Sequence, residues 1–350
     1  MGYRLQRLPT ARSGISLAAR AGAILAALLL AALVLAASGA DPLALAAEVY
    51  DSTFGSSFGL EDLGLLVTPL ILTGLSVAVA LKIGAWNIGA EGQFYAGAFA
   101  ATAVGLFVPL PEPLMLPLMA LAGMAGGMAW ILVPTLARAY AGVSELITTL
   151  LLNFVAILLV YYVATGPWLD RKTNALAATA RVPYEMPEFW GIVHWGFPLS
   201  ILLALAVALV MNRTTWGYEV RIGGSNPSAA AYAGMPVRRH IIAVMLLSGA
   251  IAGLAGMFEL AGTVHRLQGG ISNNFGYLGI MVAVLARGSA IGVLAGAVLM
   301  GVILNSGIIL QTQGLNTSTV LAITGLILFF TAIGDELAHY RLVRTEQATA

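Results

Sequence analysis

Polar side chains are rare in this chain, so the places where they gather are the places where chemistry could occur. The stretch Lys82–Gln93, KIGAWNIGAEGQ, sets Asn87, Glu91 and Gln93 between two strongly apolar runs. A carboxylate at the centre of a bilayer costs about 3 kcal/mol or more, so it normally faces a cavity or a partner. On a helix Asn87 and Glu91, four residues apart, share one face. Gly84, Gly89 and Gly92 would permit a broken or re-entrant lead-in to the helix that follows. The competing reading keeps these residues at the cytoplasmic interface, with Glu91 pairing Lys82. Thr149 and Asn153 lie one turn apart in a later apolar run. Amides and hydroxyls offer donors and acceptors without demanding a counter-ion, which suits a polar, uncharged solute. Asn87, Glu91, Gln93, Thr149 and Asn153 are therefore candidates to line a translocation path. Each taken singly also fits ordinary helix–helix hydrogen bonding.

The chemistry of catalysis is missing. The two lysines, Lys82 and Lys172, stand in no G-x-x-x-x-G-K-[ST] motif, so the chain has no Walker A loop of its own. Its four histidines are scattered without H-E-x-x-H, no G-x-S-x-G elbow occurs, and there is no cysteine. The expectation is a chain that is not an enzyme and binds no metal or cofactor.

The elements that must position these residues follow from composition. Apolar residues make up 59% of the chain and charged residues 9%, against about 25% charged in a soluble domain. Such a surface faces lipid. A formal charge of +1 excludes nucleic acid as a partner. The sequence predicts an all-α polytopic membrane protein with about ten transmembrane helices, near 21–38, 63–81, 88–108, 114–136, 146–165, 197–211, 241–260, 276–286, 289–310 and 318–334. Arg4, Arg7, Arg12 and Arg20 precede the first run, which exceeds a signal-peptide core and reads as an uncleaved helix. With ten spans, predicted cytoplasmic segments hold 13 of the 17 Lys and Arg residues and external segments only Arg171, Lys172, Arg181 and Arg266. That partition puts both termini in the cytoplasm. It divides the chain into a cytoplasmic segment at 1–20, a transmembrane domain at 21–335 and a cytoplasmic tail at 336–350.

Small residues recur four apart at Gly123 and Gly127, Gly249 and Gly253, and Gly292 and Gly296, a spacing that lets helix backbones approach. Met119–Ala129 also resembles Met245–Ala255 in register, on spans of opposite direction, as in inverted-repeat transporters. The longest predicted cytoplasmic loop covers 212–239. Within it Asn226 and Pro227 suit an N-cap and first helical residue, and Gly234 and Pro236 a stop. A short helix of small residues at the membrane surface is a natural docking knob for a soluble protein, or an ordinary loop helix.

The motifs NIGAEGQFYAGA (Asn87–Ala98), SELITTLLLNFVA (Ser144–Ala156), GYEVRIGGSNPSAAAYAGM (Gly217–Met235), LSGAIAGLAGMFELAG (Leu247–Gly262) and the run His265–Gly301 together carry a resemblance. The chain resembles the membrane permease subunits of ABC importers for branched-chain amino acids, ribose-like sugars and nucleosides. NIGAEGQ and the TT-x-x-LN pattern look most like the simple-sugar and nucleoside branch. Ala286 stands where the family pattern often has glycine. The resemblance implies a prokaryotic plasma or inner membrane permease forming the path for a nucleoside or simple sugar. Its implied partners are a cytoplasmic ATP-binding subunit carrying ATP and Mg, a second permease chain (identical or homologous), and an extracytoplasmic binding protein or lipoprotein. It makes the 226–235 loop the coupling helix seated in the ATPase, with Gly224, Asn226, Pro227, Ala229 and Ala230 at the contact. The alternative class is a secondary carrier for a small polar solute, driven by an ion gradient.

Overall fold

A computed structural model describes residues 2–7, 13–172, 177–337 and 340–345. Leu- and Ala-rich runs dominate, and since lipid satisfies no backbone amide they close their hydrogen bonds as helices. Thirteen α-helices are present among the described residues. Four short strands are also present, which the all-α expectation did not include. The chain divides into two compact units, Met1–Ser56 with Ile303–Ala350, and Ser57–Val302.

In the first unit, β1 (Gly2–Arg7) pairs antiparallel with β4 (Tyr340–Thr345), from Gly2 opposite Thr345 to Arg7 opposite Tyr340. The strands fall in the segments read as an N-terminal cytoplasmic stretch and a C-terminal tail. Helix α1 (Ser13–Ala37) begins eight residues before the predicted span and packs on α13 (Thr317–Leu337) around Ala31, Leu35 and Ile323. Helix α2 (Pro42–Phe54) starts on Asp41, whose carboxylate accepts from the amides of Leu43 and Ala44, with Pro42 at the first position. It turns 117° from the end of α1. Asn305 donates to Thr53 Oγ1 at 3.1 Å, giving both buried groups a partner.

The second unit carries the candidate path. It holds α3 (Ser57–Lys82), α4 (Ala90–Phe107), α5 (Glu112–Ala141), α6 (Glu145–Thr165), the strands β2 (Glu188–Trp190) and β3 (Val193–His194), and α7 (Gly196–Arg213). Then come α8 (Thr215–Ser225), α9 (Pro227–Tyr232), α10 (Val237–Glu259) with a π-helical turn at Leu260–Val264, α11 (Phe275–Leu285) and α12 (Ala290–Thr312). Helix α12 leaves the second unit after Val302. Buried residues line α3 continuously from Val67 to Ala80, whereas α6 exposes Ile147, Leu151, Phe154, Leu158 and Tyr162. Helix α3 is thus central in this unit and α6 peripheral.

Each of the ten predicted windows falls on a helix. By length and apolarity, however, six described helices qualify as membrane-crossing: α3, α5, α6, α7, α10 with its π-turn, and α12. The bent α1–α2 pair would make seven. Helix α4 is not among them, with Glu91 and Gln93 in its first turn. Helix α11 has 11 residues, about 16 Å and so roughly half of a hydrocarbon core.

Candidate functional site

Three helices cross at glycine. A Cβ on Gly97 of α4 would overlap the backbone of Gly253 on α10, and one on Gly253 would overlap the carbonyl of Gly123 on α5. One turn along, Gly127 and Gly249 meet in the same way, so α5 and α10 run in opposite directions. Two of the three G-x-x-x-G pairs seen in the sequence therefore face each other, with Gly97 completing the crossing, whereas Gly292 and Gly296 pack against Ala286 and Val282. Without side chains in the way, backbones approach closely enough for dispersion to hold helices that gain nothing from the hydrophobic effect in lipid.

That crossing positions the lead-in to α4. Helix α3 ends at Lys82, and Gly84 at φ +72° turns the chain, its neighbour Ala85 donating back to the carbonyl of Ala80. From here to Ala90 the backbone is not helical, so each of its polar groups needs a partner from elsewhere. Trp86 N–H donates to Glu145 Oε1 at 3.0 Å, and the other oxygen of that carboxylate pairs with Arg138. Gly89 N–H donates to Asn87 Oδ1 at 3.0 Å. Asn153 of α6 reaches across to bind the segment twice: Nδ2 donates to Ile88 O at 2.9 Å, and Oδ1 accepts from Gly92 N–H at 2.8 Å. Gly92 is required there, because a Cβ would sit 2.9 Å from Asn153 Oδ1 and 3.0 Å from the Trp130 ring nitrogen.

The side chains of the segment close a second network. Asn87 and Gln93 form a reciprocal amide pair, both bonds 2.8 Å. Asn87 Nδ2 also donates to Ser248 Oγ at 2.8 Å. Ser248 of α10 and Ser76 of α3 each donate to the other's carbonyl, at 2.7 and 2.8 Å. Glu91 Oε2 accepts from Gly276 N–H at 2.7 Å, in the first turn of α11, and Ser272 and Tyr277 bond the same carboxylate. The competing reading, in which Glu91 pairs with Lys82, is not what the structure shows. The carboxylate points at a helix N-terminus, where orphan amides and the helix dipole favour negative charge. Thr149 is also buried, but its hydroxyl returns to Glu145 O at 2.6 Å within α6 and joins neither network.

Beside the end of α3, Asn226 caps α9 as the sequence predicts, Oδ1 accepting from Ala229 N–H at 3.0 Å. Pro227 takes the first position and Gly234, at φ +81°, ends the turn. Ala230 is buried, whereas Ala229 faces out and Tyr232 is 97% exposed. Gly224 lies against the carbonyls of Lys82 and Ile83, so α8 rests on the end of α3 with no room for a side chain. The 212–239 loop is mostly helix, through α8 and α9.

Beyond α6, residues 178–186 run along the end of α10, where Thr179 N–H donates to Leu267 O, Val182 N–H to His265 O and Met186 N–H to Ala261 O. His194 is buried against Gly196 and Gly262, and its Nδ1 accepts from Gly196 N–H at 3.1 Å. Burial, with His265 adding repulsion, drives its pKa down to about 4, so the ring is neutral. Arg181, bonded to Glu185 at 2.6 Å, holds that carboxyl below its ordinary value.

Residues 59–332 match the family model described as "Branched-chain amino acid transport system / permease component". The chain belongs to this family. It is 34% identical to a glucose ABC transporter permease protein of Haloferax volcanii, over 91% of this chain and 88% of that one. It is also 34% identical to a guanosine ABC transporter permease protein of Bacillus subtilis, over 80% and 82%. A nucleoside ABC transporter permease protein of Lactococcus lactis is 31% identical over 89% of each chain. The protein is thus an ABC permease subunit, a transport component and not an enzyme, with several membrane spans.

Of the permease's five candidate path residues, Asn87, Gln93 and Asn153 meet around one backbone segment, Glu91 ties the same segment to α11, and Thr149 stands apart. Sequence reasoning missed Ser76, Ser248 and Glu145, which complete these networks. Glu145 and the serine in LSGAIAG were visible as polar residues in apolar surroundings, but nothing in the sequence paired them with residues 59 to 172 positions away.

Proposed function

We propose that this permease forms the path for a nucleoside or simple sugar in an ABC importer and couples that path to a separate ATPase. The relatives named for glucose, guanosine and nucleosides support the substrate class. The observation that carries the coupling is α9, a capped helix held at its base by buried Ala230 while Ala229 and Tyr232 stand out to solvent. Gly224, Asn226, Pro227, Ala229 and Ala230 form this coupling element, and Gly224 seats it on the end of α3. Motion of α9 would pass through that contact into the residues 83–92 segment. The path runs beside that segment, where Asn87, Glu91, Gln93, Thr149 and Asn153 set which backbone groups and side chains a solute meets. ATP and Mg reside on the partner; ATP binding supplies the affinity difference between two states that transport requires.

In this reading the chain crosses a prokaryotic plasma or inner membrane about ten times, α4, α11 and α13 completing or entering the bilayer, with both termini cytoplasmic. The distribution of Lys and Arg supports that orientation. The partners are the ATP-binding subunit, a second permease chain, an extracytoplasmic binding protein or lipoprotein, and membrane lipid, with no nucleic acid.

The test is copurification of the ATP-binding subunit from detergent-solubilised native membranes, with Ala229→Trp and Tyr232→Ala beside the wild type. Loss of the ATPase with the permease still monodisperse supports the coupling role. A permease recovered alone, with uptake abolished by collapsing the ion gradient, refutes it in favour of a secondary carrier.

A further inference from the structure

Helix α8 touches the elements around it in two different ways. Gly223 and Gly224 bring it against the side chain of Ile83 and the carbonyl of Lys82, at the end of α3. That contact is van der Waals, so it resists compression but yields when the helices are drawn apart. The other contact is polar. Glu219, in the middle of α8, places Oε2 3.1 Å from Nε2 of His240, in the first turn of α10. A donor held by a carboxylate resists separation too, and more strongly than a neutral pair. His240 is buried, and its Nδ1 has no hydrogen-bond partner among the described residues. Burying an unpartnered ring nitrogen costs stability, and a leucine would fill the same place without that cost. Packing alone therefore does not account for the imidazole, whereas its contact with Glu219 does.

The route beyond His240 is continuous. Helix α10 is unbroken from Val237 to Glu259, and Ser248 lies two turns on from His240, about 12 Å along the axis. Ser248 accepts from Asn87 Nδ2 and exchanges hydrogen bonds with Ser76, while Gly249 and Gly253 lock the same helix to α5 and α4. The covalent link from α9 to α10 is a poorer conductor of motion. It passes through Gly234, at φ +81°, and Pro236, a non-helical turn that bends more readily than a helix. We propose that Glu219 and His240 are positioning residues that tether α8 to α10. A pull on the α8–α9 unit then displaces α10, and with it the Ser248 and Asn87 end of the candidate path. The proposal rests on the coupling reading of α9 and deepens it: Gly224 lets α8 push on α3, and the tether lets it pull on α10.

The experiment uses the complex purified from native membranes and reconstituted in proteoliposomes, and reads the radiolabelled guanosine or glucose taken up per ATP hydrolysed. His240→Leu and Glu219→Ala should retain the ATP-binding subunit yet lower that ratio by roughly fivefold or more, the range of an allosteric coupling. His240→Gln, whose amide sets a donor where Nε2 lies, should stay close to the wild type. The chain has no cysteine, so a Glu219→Cys, His240→Cys pair can be joined by a short bis-methanethiosulfonate linker. Joining should restore the ratio and reduction should abolish it again, a reversal that a merely structural contact would not give. An unchanged ratio in both His240→Leu and Glu219→Ala overturns the tether while leaving the coupling reading intact. Loss of the ATP-binding subunit from these variants also overturns it, since the pair would then shape the docking surface. A wild type that retains no ATP-binding subunit refutes the coupling reading itself. Glu219 is only partly buried, so Glu219→Ala and the linked pair decide should His240→Leu fail to fold. If the wild type moves neither solute, nitroxide labels on exposed Tyr218 and Thr263 decide. Their separation should change on ATP binding in His240→Leu and not in the wild type, and equal behaviour of the two overturns the proposal.

Discussion

Replacing Asn153 by leucine should destabilise the permease while leaving its overall shape intact. Leucine has the same branched arrangement of four side-chain heavy atoms as asparagine, in a larger volume, but neither its donor nor its acceptor, so the change removes two hydrogen bonds and opens no cavity. The bonds lost are those to Ile88 O at 2.9 Å, in the non-helical lead-in, and from Gly92 N–H at 2.8 Å, in the first turn of α4 where amides have no partner within the helix. Hydrogen bonds inside membranes average about 0.6 kcal/mol and reach about 1.7. Two of them give roughly 1 to 3 kcal/mol, toward the upper end because the stranded backbone groups have no water to turn to. The second unit spans Ser57–Val302, and for a domain of about 250 residues each kcal/mol lowers the melting temperature by about 2 to 4 °C. The expected loss is therefore about 3 to 10 °C, measured by fluorescence-detected size exclusion of heated, detergent-solubilised protein. Asn153→Asp, which keeps the acceptor for Gly92 and loses the donor for Ile88, should fall between. An Asn153→Leu protein that melts with the wild type but no longer transports would refute the positional argument and make Asn153 a direct solute contact.

Three further outcomes follow from the same geometry. Gly253→Val should abolish folding or cost at least several kcal/mol, since even a Cβ there meets backbone atoms closer than the 3.0 Å that real Cβ atoms keep; Gly325→Val, with nothing within 4 Å, is the control, and equal yields of the two proteins would contradict the crossing. Glu91→Gln should be tolerated far better than Glu91→Ala, because the amide oxygen can still accept from Gly276 N–H; equal melting temperatures for the two would show that this bond holds nothing. The His194 pKa of about 4 in the fold lies below an unfolded value near 6.5, so its contribution is complete above about pH 6.5 and is lost as pH falls toward 4. That amounts to about 3 kcal/mol at most, and the wild type should lose more stability than His194→Gln between pH 7 and 5; parallel melting curves in pH would refute it.

Much of the fold is legible in the sequence, and the reasons are physical. Lipid demands long apolar runs with internal hydrogen bonding, so all ten windows fall on helices. It also penalises stray polar groups, so the 82–93 segment and Asn153 stood out before any contact was known. The Asn226–Pro227 start of α9 is local chemistry of an N-cap and needs no tertiary information. Hydropathy alone could not distinguish full spans from half-spans, because α11 is as apolar as its neighbours but ends after 11 residues. The strands β1 and β4 escaped notice because each pairs only with the other end of the chain.

What the sequence by itself determined is which groups could not be left to lipid: a carboxylate, a few amides and the amides of a broken backbone segment. Only the tertiary structure decided who satisfies them. Glu91 looks to Lys82 nine residues away in sequence, yet bonds Gly276 in another helix. The glycine pairs of α5 and α10 are visible as spacings, but that they meet each other and Gly97 at one crossing is a property of three helices packed together. Short-range chemistry sets the need for a partner; the approach of backbones, possible only where glycine removes the side chain, sets which partner comes within reach.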